Sequence, residues 1–263
     1  MIYMDLDRAR DTIVDFIRTK TEEAGVNGVV VGLSGGIDSA LTAYLAVEAL
    51  GKENVLGVHL PETGFTPAED VLDATEVANR LGIEFNTIDI TGILGSFLES
   101  IPEGAQATPL SKGNLKARIR MSILYYYSNL TGRMVIGTGN KTEILIGYYT
   151  KYGDGGVDIE PIGDLYKTEV WELAGMMDVP EDIINKAPSA GLWAGQTDEE
   201  ELGISYKLVD RALEMLLDGE DEVYITDVLG LKKEQMDSVV HRIVSNAHKR
   251  EVPPLPSLEQ LRI

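Results

Sequence analysis

The sequence predicts a doubly wound α/β fold, a parallel sheet flanked by helices, on three observations. Short β-branched runs alternate with amphipathic stretches between residues 29 and 137, the pattern of parallel strands joined by crossover helices. The first run, Val29-Val30-Val31, passes through a Ser/Gly turn straight into a helical stretch. No linker, internal repeat or low-complexity tract interrupts the 263 residues, so a single domain over 1–263 is expected.

Leu6, Ala9, Ile13, Phe16 and Ile17 share one helical stripe behind Asp5, a capping residue, which predicts a helix over 5–24. The first strand leads into a helix at 39–50. A strand at 55–60, a helix at 68–81 and a strand near 83–90 continue the alternation. A short helix at 91–100, a loop, a long helix at 114–129 and the strand Met134-Val135-Ile136-Gly137 complete it. Right-handed crossovers put the loops after these strands at one sheet edge, where such folds bind ligands. Beyond Gly147 a glycine-rich loop, Tyr152 to Asp158, precedes helices predicted over 166–177, 203–217 and 231–247. The small-residue stretch 187–197 reads either as a mobile lid or as a plain surface loop.

Composition narrows the function. A 44% hydrophobic content supports a substantial core. No apolar run approaches the roughly 18 residues of a membrane helix, and Met1 to Asp7 lacks the basic and apolar regions of a secretory signal. A cytoplasmic location without membrane contact is expected. The chain has no cysteine, which excludes disulfides, thiolate metal sites and a cysteine nucleophile. Forty-three acidic against 23 basic residues give a formal charge of −20, which repels polyanions, so nucleic acid is not an expected partner. Such a surface suits high internal salt as well as ordinary cytosol.

The turn Gly32-Leu33-Ser34-Gly35-Gly36-Ile37-Asp38-Ser39 reads as a phosphate cradle. Its glycines let backbone approach a ligand, and the N–H groups opening the next helix favour an anion. A Walker-type loop would need a lysine after the glycines, and Ile37-Asp38-Ser39 follows instead, which disfavours plain γ-phosphoryl transfer. Asp38 beside bound phosphates makes a sensible Mg²⁺ ligand. Read without context, it could equally cap the following helix.

SGGIDS resembles the signature of the N-type ATP pyrophosphatases, which attach AMP to an oxygen and release pyrophosphate. Further segments, in order, resemble ammonia-dependent NAD synthetases. They are Leu33 to Ser39, Lys112 to Met121, Gly137 to Glu143, Thr150 to Asp158, Pro161 to Lys167, Glu201 to Tyr206, and His248-Lys249-Arg250. The resemblance spans nearly the whole chain and implies a Rossmann-like sheet of the adenine nucleotide alpha hydrolase type.

The same resemblance implies residue roles. Asp38 and Glu143 hold Mg²⁺ and, with Lys167, form the catalytic set. Residues 32–39 (Gly32, Leu33, Ser34, Gly35, Gly36, Ile37, Asp38, Ser39), together with Thr138, Lys167 and Ser189, contact ATP. Arg118, Lys151, Asp158, His248 and Lys249 bind deamido-NAD. Taken singly, Glu143 also fits a first-turn glutamate complementing a helix dipole, and Lys167 a surface lysine. His248-Lys249-Arg250 fits a basic helix end before Pro253-Pro254. One departure stands out: Gly137-Thr138-Gly139-Asn140 replaces the Gly-Thr-Asp-His of many bacterial relatives, so the role of that Asp-His pair does not carry over.

The implied reaction is ATP-dependent amidation of nicotinic acid adenine dinucleotide (deamido-NAD) through an adenylate, yielding NAD, AMP and pyrophosphate. Without a cysteine or room for a glutaminase domain, free ammonia or ammonia from a separate protein is the expected donor. Water or Asp154 would take the proton from ammonium. A homodimer is implied as well. The alternatives are another adenylating ligase of GMP-synthetase type and a non-catalytic nucleotide-binding protein on the same scaffold.

Overall fold

The computed structural model describes residues 4–189 and 198–258. Helix α1 (Leu6–Ala24) starts under the cap expected of it, with the Arg8 N–H donating to Asp5 Oδ1 at 3.1 Å. The alternation follows as β1 (Val29–Gly32), α2 (Ile37–Leu50), β2 (Val55–His59), α3 (Ala68–Leu81), β3 (Glu84–Thr87), α4 (Thr91–Ser100), α5 (Pro109–Thr131) and β4 (Met134–Ile136).

All four strands are parallel, in the order β3-β2-β1-β4. Val30 faces Leu56 on one side and Val135 on the other. Ile159 adds a parallel bridge to Ile136 at the outer edge of β4. The chain thus runs outward from β1 through β2 and β3, then crosses back to pair on the opposite side of β1. This reversal opens a crevice between the carboxyl ends of β1 and β4, the place where doubly wound sheets take their ligands.

Apolar side chains fill both faces of the sheet. Ile17 of α1, Leu41 and Leu45 of α2, and Val77 of α3 pack on one face beside Val31. Leu94 of α4 and Ile119 of α5 pack on the other beside Val30, Leu56 and Val58. The second half adds α6 (Lys141–Ile146), α7 (Lys167–Met176), α8 (Glu181–Asn185), α9 (Asp198–Leu202), α10 (Tyr206–Leu217), α11 (Glu222–Leu229) and α12 (Lys233–Ser245). Ile146, Tyr206, Leu213, Ile225 and Met236 form a second apolar cluster there. Trp171 of α7 packs against both clusters and meets Tyr206 edge-on, ring centroids 6.1 Å apart.

Several boundaries differ from expectation for identifiable reasons. Helix α2 begins at Ile37, two residues early, because Gly36 is its N-cap, and Asp38 therefore lies in its first turn. The reading of Asp38 as a cap fails on this geometry. Helix α5 begins at Pro109, since Thr108 caps it by accepting from the Ser111 N–H at 3.1 Å and proline suits the first helical position. Strand β3 ends at Thr87, although the Ile88 and Ile90 amides still donate to the His59 and Pro61 carbonyls. Helix α10 opens at Tyr206 rather than at residue 203. Helices α6, α8, α9 and α11 run eight residues or fewer, too short to print a helical period on the sequence.

Candidate active site

The turn between β1 and α2 is held from within and from behind. Ser39 Oγ donates to the Gly36 carbonyl at 2.9 Å and accepts from the Ser34 N–H at 3.2 Å. Gly35 takes a positive φ of 88°, and a Cβ there would stand 2.4 Å from the Asp70 carbonyl oxygen. Only glycine fits that position. The Gly35, Ile37 and Asp38 N–H groups find no acceptor among the described residues, which leaves an anion-ready nest at the start of α2.

Behind this turn, Lys186 at the end of α8 donates to the Gly35 carbonyl at 3.2 Å and pairs with Asp70 at 2.9 Å and with Asp73. Ser189 follows three residues later and is exposed. Lys186 thus tethers the stretch carrying Ser189 to the back of the cradle. The rest of the expected lid, 190–197, lies outside the described residues.

At the crevice, three elements bring Asp38, Glu143 and Lys167 together. Lys167 is only 1% exposed and its ammonium pairs with Asp38 Oδ2. Asn140 donates from Nδ2 to Asp38 Oδ1 at 2.9 Å. The same Asn140 caps α6 reciprocally with Glu143: the Glu143 N–H donates to Asn140 Oδ1 at 3.0 Å, and the Asn140 N–H to Glu143 Oε2 at 3.2 Å. One asparagine therefore sets both carboxylates, 105 residues apart in sequence.

The electrostatics of this cluster call for a further cation. Burial and the neighbouring Asp38 push the Glu143 carboxyl well above the usual glutamate range, and Lys167 offsets only part of it. Burial alone would lower the Lys167 ammonium, but Asp38 and Glu143 outweigh it and raise the group above its ordinary value. Asp198, buried and accepting from the Tyr206 hydroxyl at 2.9 Å, adds a third acid in range. Two carboxylates beside a phosphate nest are a donor set suited to Mg²⁺, which favours few carboxylates plus phosphate oxygens.

Lys167 is fixed by its surroundings. Its backbone N–H donates to Thr142 Oγ1 at 3.0 Å, Thr142 donates to Asp210 Oδ1 at 2.5 Å, and Asp210 Oδ2 accepts from the Thr168 N–H at 2.9 Å. Asp210 of α10 thereby holds α6 and the start of α7 together. The Tyr206 ring lies 5.6 Å from the Lys167 ammonium and completes the wall. The surface-lysine reading of Lys167 fails on this burial.

The expected dinucleotide-binding residues gather nearby in two places. Arg118 donates to the Lys151 carbonyl at 3.2 Å, Lys151 reaches the His248 carbonyl, and Lys249 donates to the Gly147 and Tyr149 carbonyls at 2.6 and 2.7 Å. Lys151 and Lys249 line a cavity of about 250 Å³ with Tyr149, Tyr152 and Arg250. His248 and Lys249 lie in a 3-10 turn after α12, with Lys249 folded back onto the loop after α6. Asp158 stands apart from this cavity, accepting from the Val135 N–H at 2.7 Å and the Tyr125 hydroxyl at 3.0 Å. Thr138 lies between Gly137 and Gly139 in the loop after β4, at the crevice itself.

The sequence profile of the NAD synthase family matches residues 10–253. The chain belongs to the NAD synthase family. It is 61% identical over 255 residues to the NH3-dependent NAD+ synthetase of Methanosarcina mazei, a match covering 97% of this chain and 100% of that one. Among solved structures it resembles the NMN synthetase of Francisella tularensis, with a TM-score of 0.85 and 36% identity over 97% of this chain and 99% of that one. The NH3-dependent NAD synthetase of Campylobacter jejuni gives a TM-score of 0.82 and 35% identity over 97% and 100%.

In this NAD synthase family member, sequence reasoning missed Asn140, Lys186, Asp198 and Asp210. The spacing Asn140-x-x-Glu143 is a capping-box signature and could have placed Asn140 beside Glu143. Lys186 and Asp210 act through partners more than 40 residues away, and no local pattern marks them.

Proposed function

We propose that this chain converts deamido-NAD to NAD with ATP and ammonia, through an adenylated carboxyl group, releasing AMP and pyrophosphate. The observation that carries the reading is the meeting of Asp38, Glu143 and Lys167 at the mouth of the Gly32–Ser39 cradle. Family membership and its likeness to NH3-dependent NAD synthetases support the same reaction.

Each part of the site has a task in it. The open N–H groups of the cradle grip the departing pyrophosphate, and the Lys167 ammonium stabilises charge that grows on the phosphates during transfer. Asn140 bonds both Asp38 and Glu143, the residues that would hold Mg²⁺ to neutralise phosphate charge. Ser189, three residues beyond Lys186, is the proposed ATP contact from this stretch. Arg118, Lys151 and Lys249 present positive charge, and His248 its ring, to a dinucleotide that carries a pyrophosphate and a carboxylate. Asp158, which accepts from the Val135 N–H and the Tyr125 hydroxyl beside β4, completes the proposed dinucleotide set. Positioning of three charged reactants supplies much of the acceleration.

Ammonium is the direct nitrogen source in this reading, since the chain has no thiol to release it from glutamine. A homodimer is part of the proposal. Phe97 on α4 and Tyr126 and Leu130 on α5 are exposed apolar side chains that burial between subunits would cover.

The test is product analysis with ATP, Mg²⁺ and ammonium. Deamido-NAD should give NAD, AMP and pyrophosphate in equal amounts, with nicotinic acid mononucleotide and xanthosine monophosphate much poorer acceptors. ADP as product, or a preference for either alternative acceptor, overturns the reading. Glu143→Ala should bind ATP yet turn over at least roughly 10²-fold more slowly, as expected when a metal-centred charge clamp is lost.

A further inference from the structure

Glu160 is a half-buried acid that the reaction outlined above leaves idle. It directly follows Ile159, which pairs with Ile136, so it stands beside Gly137 at the carboxyl end of β4. Its carboxylate lies on the backbone of the loop carrying Thr138. A Cβ on Gly137 would stand 2.3 Å from Oε2, and one on Gly139 would stand 3.3 Å from both oxygens. Two glycines make the room for this group. The Gly139 N–H donates to Oε2 at 3.0 Å, while Oε1 meets no donor among the described residues.

Among the described residues no cation pairs with this carboxylate. The groups facing it are Asp154 and Tyr149 from the loop after α6, and the Gly139 amide from the loop after β4. Neighbouring cations are committed elsewhere: Lys249 to the Gly147 and Tyr149 carbonyls, Lys151 to the His248 carbonyl, Lys141 to Asp164, and Arg120 to the Leu60 carbonyl. Burial, and the charge of Asp154 to a lesser degree, raises the Glu160 carboxyl to about 8 against the pull of the Gly139 amide. An uncompensated acid in a ligand crevice marks a functional group or a missing cation.

We propose that Glu160 binds the ammonium ion in this crevice and accepts the proton that ammonium must shed before it can attack. The proposal rests on the amidation reading given above. In the step, one N–H bond of ammonium breaks and its proton passes to Glu160 Oε1. The nitrogen lone pair so released forms the C–N bond to the adenylated carboxyl carbon, and the C–O bond to AMP breaks with its electron pair leaving on AMP. The nitrogen then loses a second proton to water, leaving the neutral amide. Ammonium bound in the crevice favours the ionised carboxylate, the form that accepts a proton.

Glu160→Gln tests this, because the amide oxygen still accepts from Gly139 and the volume is kept. Three rates separate the outcomes: deamido-NAD-dependent exchange of labelled pyrophosphate into ATP, amidation with ammonium, and capture of the adenylate by hydroxylamine, already uncharged at pH 7. The expected result is exchange and hydroxylamine capture within about twofold of wild type, with kcat/KM for ammonium roughly 10²-fold lower at pH 7 and the gap closing as pH rises. Unchanged ammonium kinetics at every pH overturn the proposal, as does a parallel loss of exchange, which would make Glu160 structural. Glu160→Asp, which retains the acid, should recover more ammonium activity than Glu160→Gln; equal activities count against the proposal. Absence of exchange in the wild type would instead sink the amidation reading itself.

Discussion

At the scale of single residues, the most constrained position is Gly35. Its φ of 88° is disfavoured for any side chain, and a Cβ would meet backbone, not a movable side-chain tip, at Asp70. Gly35→Ala should lower stability by about 1–3 kcal/mol and weaken ATP binding at least tenfold, read by urea denaturation and calorimetric titration. Gly95, inside α4 with open space around its Cα, is the control, and Gly95→Ala should be neutral or stabilising by up to about 1 kcal/mol. Equal behaviour of the two variants would show that the cradle tolerates a different backbone. Glu160 gives a second residue-scale prediction. Folded and with no ammonium bound, it keeps its proton up to about pH 8, whereas the unfolded chain releases it in the ordinary glutamate range. Folding therefore favours proton uptake across that window, and the stability due to this residue falls as pH rises through it, by a few kcal/mol at most. Glu160→Gln should flatten the decline in urea midpoint between pH 5 and pH 8.5; identical slopes would refute the assignment.

At the scale of elements, α6 is six residues long and depends on its cap. Asn140 serves that cap and orients Asp38 at once, and two substitutions separate the tasks. Serine can cap a helix but is too short to reach Asp38, so Asn140→Ser should retain stability within about 0.5 kcal/mol while turnover falls about 10- to 100-fold. Asn140→Ala should lose both, at a stability cost of about 1 kcal/mol. If Asn140→Ser turns over normally, the bond to Asp38 does not matter to the reaction. This element also shows what the sequence could and could not tell. The strands, the cradle and the helices through α5 were legible because each carries its own period or turn chemistry, so errors there are shifts of a few residues at caps such as Gly36 and Thr108. Glu143 and Lys167 were legible only through ordered resemblance, since each alone passes for a solvated charge. Asn140, Lys186 and Asp210 were not legible as site residues, because their role is created by chain segments that meet only after folding.

At the scale of the whole molecule, a formal charge of −20 surrounds the proposed substrate site, where Arg118, Lys151, Lys249 and Arg250 gather. Salt should therefore act on stability and on substrate binding with opposite sign. Surface acids outnumber their partners, and exposed pairs such as Arg18–Asp15 and Lys20–Glu23 contribute little each, so the folded state carries net self-repulsion. Raising ionic strength from about 0.1 M to 1 M shortens the screening length from roughly 10 Å to 3 Å and relieves that repulsion. Potassium chloride over this range should raise the urea midpoint of the folded chain. The same ions weaken attraction between the basic cluster and the dinucleotide pyrophosphate, so KM for deamido-NAD should rise several-fold while kcat changes less. The Asp38–Lys167 pair, 19% and 2% exposed at its side chains, is shielded from bulk ions and should be little affected. Measuring denaturation and initial rates in one salt series decides the matter. A midpoint that falls with salt would mean that local ion pairs, and not the global excess of acid, dominate the stability of this chain.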